Sequence, residues 1–111
     1  MTPRLNRALV LEARDETPDG AGGLVVGWAA LGTLWAAVLP GTGREGGDEG
    51  VSTGEVACRI VVRGAPVGAP SRPVAGRRFR DGARVYRILA VTEADPGGRY
   101  LTCFAREEVP A

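Results

Sequence analysis

The chain has 111 residues, with 14 basic residues, all arginine, 13 acids and no histidine, for a net charge of +1. The missing imidazole excludes histidine-based triads, histidine metal sites and imidazole acid–base chemistry, and the near-neutral balance excludes a global field for nucleic acid. The length is that of one domain, 1–111, able to bury about two-thirds of the surface its unfolded form exposes, and 17 glycines with 8 prolines disfavour long helices and favour turns.

The amino terminus, Met-Thr-Pro-Arg-Leu-Asn-Arg, has no apolar run after its charges, so no signal peptide is expected. No segment approaches the ~20 apolar residues of a membrane helix. The expectation is a protein made in a reducing cytoplasm, with no membrane partner.

Arg7 to Glu12 alternates, with Leu9 and Leu11 on one face and Ala8 and Val10 on the other, and reads as a first strand. Ala13 to Gly23, carrying Asp15, Glu16, Pro18, Asp19 and Gly20, reads as a polar loop. It is either a solvated connector or a projection that touches a neighbouring subunit. The stretch from Gly22 to Glu45 holds both tryptophans and the longest apolar run. Leu24 to Trp28 and Thr33 to Leu39 read as two strands joined through Ala29 to Gly32. A helix over Leu24 to Leu39 competes, but Gly27 and Gly32 each cost a helix about 1 kcal/mol relative to alanine. Trp35 offers a large apolar face whose indole N–H needs a partner if buried. Pro40 cannot donate to a ladder, so the strand should end there.

Gly41 to Gly54 holds six glycines in fourteen residues, which is flexible linker chemistry. Glu55 to Arg63 is the cleanest strand, with Val56, Cys58, Ile60 and Val62 on one face. Gly64 to Pro73, with three prolines, cannot be a central strand. Arg77 to Arg80 is a short strand or turn carrying Phe79, and Asp81-Gly82 marks a tight turn. Arg84 to Thr92 is a strand with Tyr86 and Ile88 on one side. Asp95-Pro96-Gly97-Gly98 has hairpin-turn chemistry. Arg99 to Arg106 returns antiparallel with Leu101, Cys103 and Ala105 on one face. Short strands separated by turns predict an all-β fold, a small antiparallel barrel or sandwich of about six strands with long Gly/Pro-rich loops.

Little in the chain points to catalysis, and no cofactor or metal is expected. Cys58 and Cys103 fall on apolar strand faces and read as buried thiols acting as small hydrophobes. The acid pairs Asp15/Glu16, Glu93/Asp95 and Glu107/Glu108 sit in or beside turns or at the terminus, where solvated charge is the default. The loop Gly41-Thr42-Gly43-Arg44-Glu45-Gly46-Gly47 lacks the Gly-Lys-Ser/Thr ending and the helix of a P-loop. Its surroundings carry one arginine against three acids (Glu45, Asp48, Glu49), which repel phosphate. Arg72, Arg77, Arg78, Arg80, Arg84 and Arg87 crowd sixteen residues with only Asp81 against them. They form either a solvated face or a basic patch for DNA or for the acidic face of a ring neighbour.

The order Gly22-Gly23, Trp28, Leu34-Trp35-Ala36, Val38, Pro40, Gly43-Arg44-Glu45 resembles the head–tail joining, or head-closure (stopper), proteins of tailed phages and phage-like gene transfer agents. The resemblance resumes at Arg59 to Arg63 and at Asp81 to Ile88, and ends at Leu101-Thr102-Cys103. Trp28, Trp35, Pro40, Tyr86 and Ile88 form the centre of that pattern. It implies a non-enzymatic virion subunit at the neck that forms a six- or twelve-fold homo-oligomeric ring. The ring would lie between a portal–adaptor ring and a tail-terminator ring and hold packaged double-stranded DNA in its channel. It also implies a loop projecting into the channel, which here is Gly41 to Gly54, with Gly41, Gly43, Arg44, Glu45, Gly46, Gly47, Asp48, Glu49 and Gly50. Fourteen extended residues span about 46 Å, so a folded-back hairpin reaches about 23 Å. Gly46-Gly47 and Gly50 stand where family members carry helix-forming residues, which argues against a regular helix there. The alternatives are a tail-terminator or adaptor of the same connector, or a small oligonucleotide-binding barrel using Arg72 to Arg87.

Overall fold

A computed structural model describes residues 2–41 and 55–108, which form six antiparallel strands and, among those residues, no helix. The strands are β1 (Arg7–Pro18), β2 (Leu24–Pro40), β3 (Glu55–Arg63), β4 (Arg78–Asp81), β5 (Arg84–Glu93) and β6 (Tyr100–Glu108). They pair in the order β1-β2-β3-β6-β5-β4, and β4 returns to β1, so the sheet is a closed barrel rather than a sandwich.

Period-two alternation in each strand sends one set of side chains inward. Leu9 and Leu11 of β1 meet Ala36 of β2, then Cys58, Ile60 and Val62 of β3. Phe79, Tyr86, Ile88, Leu101, Cys103 and Ala105 complete the core. A six-stranded wall encloses little space, which side chains alone fill. Each large apolar side chain buried there contributes about 1.5–3 kcal/mol. Tyr86 is the one large core residue with a polar end. Its hydroxyl accepts a hydrogen bond from Arg7 at 3.2 Å, and Arg7 also pairs with Asp81 at 2.6 Å, so one arginine satisfies the phenol and ties the start of β1 to the end of β4.

Four local expectations are revised. The two tryptophan-bearing strands are one continuous strand of 17 residues. Its irregularity is a bulge opposite Leu11 and Glu12, where Leu31 is the extra residue and Gly32 takes φ 147°, a value that L side chains rarely adopt. A bulge bends a strand without ending it, and that distinction does not show in composition. The polar loop expected from Ala13 is strand as far as Pro18, leaving only residues 19–23 as the turn. Asp19 organises that turn by accepting hydrogen bonds from the Ala21 and Gly23 amides at 2.8 and 3.0 Å. Val56 is exposed, unlike Cys58, Ile60 and Val62, because the filled core ends before it. Val61, on the outer face, is nevertheless buried, in a groove it shares with Thr2, Pro3 and Ala37.

The barrel closes through the shortest ladder in it, the three pairs Val10–Arg80, Leu11–Phe79 and Glu12–Arg78. Inside the seam, Leu11 and Phe79 are fully buried against each other's strands. Outside it, Glu12 is a buried carboxylate that accepts hydrogen bonds from Arg78 Nε at 2.7 Å and Arg80 Nε at 2.8 Å. The Arg78 guanidinium lies 4.1 Å from the centroid of the Trp28 ring, so the indole roofs the ion pairs. Burial alone would raise the Glu12 pKa, but the bonds from Arg80 and Arg78 outweigh it and hold the carboxyl below the usual glutamate value of 4.5.

Two stability outcomes follow. The Gly64 amide donates to the Arg99 carbonyl at 2.7 Å, and a Cβ at position 64 would run into the Gly98 carbonyl oxygen. Gly64→Ala should therefore cost about 1–3 kcal/mol, read from the urea midpoint. For Glu12, a depressed folded pKa gives stability that is present above the unfolded value and lost as pH falls through the folded value. Unfolding free energy should decline as pH drops below about 4.5. Glu12→Gln should be less stable at pH 7 by about 2 kcal/mol and show a flatter decline in acid.

Candidate functional site, an arm and a shelf on the barrel wall

β1 and β2 outrun the barrel. The β1–β4 ladder stops at Glu12 and the β2–β3 ladder begins at Ala36, while β1 and β2 stay paired out to Pro18 and Leu24. Beyond the seam they form a two-stranded arm with, among the described residues, no third strand beside it, in keeping with overall extents of 53 × 36 × 22 Å. The tip is apolar and wet. Leu24, Val25 and Val26 are 61, 55 and 48 % exposed. Pro18 pairs with Leu24 and Glu16 with Val26, and Asp15 and Asp19 lie alongside. The loop expected to be a connector or a projection is therefore the end of a β-ribbon.

The other outward patch on β2 centres on Trp35, which is 60 % exposed. Ala36 pairs with Val62, and Arg63 pairs with Tyr100. This register sets Trp35, Arg63 and Tyr100 in a row across three strands, and Pro3 and Leu5 border the same hollow. Next to it runs a larger groove of about 740 Å³ under the amino-terminal residues, with Val61, Leu39 and Arg59 in its lining. The Arg59 Nε is buried there with no hydrogen-bond partner among the described residues.

Of the residues at the centre of the tryptophan pattern, Tyr86 and Ile88 belong to the core. Trp28 is half-buried over the Glu12 pairs, Trp35 is exposed, and Pro40 is the exposed last residue of β2. Residues 42–54 lie outside the described part of the chain. This takes in the expected channel-loop positions Gly43, Arg44, Glu45, Gly46, Gly47, Asp48, Glu49 and Gly50. Only Gly41 of that set is described, its amide donating to the Ala57 carbonyl at 3.0 Å.

The six crowded arginines do not form one patch, and each is engaged within the chain. Arg78 and Arg80 hold Glu12. Arg84 grips Glu107 through two nitrogens at 2.6 and 3.0 Å, which raises the Arg84 pKa and lowers that of Glu107. Arg87 pairs with Glu55 and Glu108. Arg72 donates to the Ala65 carbonyl and Arg77 to the Arg72 carbonyl. Their acids come from β1, β3 and β6, so no nearby stretch of sequence reveals them. Four of the six charges are thus compensated locally.

Cys58 and Cys103 are both buried and neither forms a disulfide. Burial pushes the Cys103 thiol up to about 12, which suits a packing role and opposes a nucleophilic one. Among the described residues no group of three or more Cys, Asp or Glu side chains could hold a metal ion. Glu12 is the residue that sequence reasoning missed. Its signal is an acid within an apolar alternation, answered by two arginines at a spacing of two, which share a strand face.

Comparison with known proteins follows the same direction. A chain of the solved virion of a native gene transfer agent particle is 55 % identical. The match covers 99 % of this chain and 100 % of that one, with a TM-score of 0.81. A Shigella flexneri 2a protein known from its solution structure is 23 % identical over 97 % of this chain and 96 % of its own, with a TM-score of 0.69, and shares the fold. No curated protein matches. The model described as phage head completion protein matches residues 1–108. The chain is a member of the phage head completion protein family.

Proposed function

We propose that this protein is the head-closure subunit of a gene-transfer-agent or phage-like particle. It stands as a homo-oligomeric ring at the neck, joins the portal–adaptor complex to the tail and retains packaged DNA. The observation that carries this reading is the 55 % identity, end to end, with a chain of a gene transfer agent virion. The fold supports it physically. Closure leaves the barrel wall without an open edge, so strand pairing is available only along the short arm, while the arm and the Trp35 shelf give each copy two apolar patches for ordered neighbours. The role is structural and non-catalytic.

The arginine side of β4 and β5 favours a protein neighbour over free DNA, because its guanidiniums already face carboxylates and so release few counterions from a duplex. The reach into the channel proposed for residues 41–54 follows from the resemblance to head-closure proteins, and the six glycines and three acids between β2 and β3 suit it.

Deleting the gene in a producing strain should yield filled heads that lose their DNA to nuclease and carry no tails, read by electron microscopy and by nuclease-resistant DNA. Normal tailed particles with full DNA content would overturn the proposal. Removing Gly46 to Gly50 should leave tails attached while lowering protected DNA. Full protection would count against the channel role of that segment and leave the joining role standing.

A further inference from the structure

The two outward patches of β2 cannot meet within one subunit. Leu24 and Trp35 are eleven residues apart on one extended strand, about 36 Å. They are complementary in kind. The arm tip is apolar through Leu24, Val26 and Pro18, and it carries Asp15, Glu16 and Asp19; Arg14 offsets Glu16 at 3.3 Å, which leaves the tip net acidic. The shelf is apolar through Trp35, Tyr100 and Leu5. Arg63 lines it and Arg4 lines the adjoining groove, both exposed and neither paired with a carboxylate among the described residues. A two-stranded ribbon is marginally stable in water, and clustered exposed apolar residues mark contact surfaces. Both statements fit an arm that is held by another molecule.

We infer that the arm of one copy seats on the Trp35 shelf of the next, with the acids of the arm facing Arg63 and Arg4. The occupant is a second copy of this chain, because the shelf supplies both the apolar surface and the opposite charge that the arm lacks. Two different patches make a head-to-tail contact, which repeats until it closes. The inference rests on the ring reading above and names the surfaces that build the ring.

The test uses the purified full chain, with assembly followed by sedimentation velocity and fold by thermal melting. Leu24→Ser with Val26→Ser disables the arm, and Trp35→Ser disables the shelf. All three positions are at least 48 % exposed, so melting should stay near that of the parent. Each variant alone should need at least about tenfold more protein to assemble. Mixed together they should form a one-to-one dimer that grows no further, because the pair holds one intact arm and one intact shelf in contact. Arg63→Glu should weaken assembly, and Glu16→Arg added to it should recover part of the loss. Variants that assemble like the parent, or a mixture that stays monomeric while the parent assembles, would overturn the contact and leave the ring reading intact. A parent chain that is monomeric at every concentration, and is found singly in particles, would overturn both.

Discussion

Three residue pairs decide whether this sheet is closed or open. Val10, Leu11 and Glu12 of β1 meet Arg80, Phe79 and Arg78 of β4, and no other ladder joins the two ends of the sheet. So short a ladder holds few backbone hydrogen bonds. The seam is strengthened across both faces of the wall instead. Leu11 and Phe79 fill the interior, and Glu12 draws two guanidiniums together outside. The carboxylate loses hydration there, and the geometry compensates, since each oxygen faces its own Nε donor at hydrogen-bond distance. Trp28 completes the arrangement from above. Without the seam, β1 and β4 would each present unpaired backbone groups, the feature that drives uncontrolled strand addition.

The strand that closes the barrel also leaves it. The bulge at Leu31 lies opposite Leu11 and Glu12, beside the seam. Bulges add twist and redirect a strand, so the hairpin changes course where the wall ends. The Glu12 pairs and the bulge therefore fix the arm at its root, while among the described residues no third strand supports its tip. A stiff base with an exposed apolar end suits the contact proposed above. The base limits the orientations available to the tip, and the apolar surface of the tip stays exposed.

The exclusive use of arginine acquires a structural meaning in the outer ion pairs. Arg84 takes both oxygens of Glu107, and Glu12 takes one nitrogen from each of two arginines. Planar guanidiniums suit such divided contacts better than a point-like ammonium. Most of these pairs are partly exposed and contribute little individually. Together they tie β4 and β5 to β1, β3 and β6, and they turn a basic run of sequence into a nearly balanced surface.

Alternation of apolar residues along Leu9–Leu11, Cys58–Val62, Tyr86–Ile88 and Leu101–Ala105, punctuated by Gly/Pro turns, was enough to read an all-β fold with these core positions. That signal is local, because inward and outward side chains alternate within one strand. The tryptophan pattern likewise carried the family, since it is a property of order along the chain. Three features were not legible. The continuity of β2 depends on a bulge, which needs a partner strand to define it. The strand from Ala13 to Pro18 is held by pairing with Leu24 to Ala29, and polar composition hides it. The carboxylates that meet Arg78, Arg80, Arg84 and Arg87 come from strands far away in sequence. Local pattern thus determined which residues face inward, and only closure of the barrel decided which charges meet and which apolar residues remain outside, because pairing partners are set by topology rather than by neighbours in the chain.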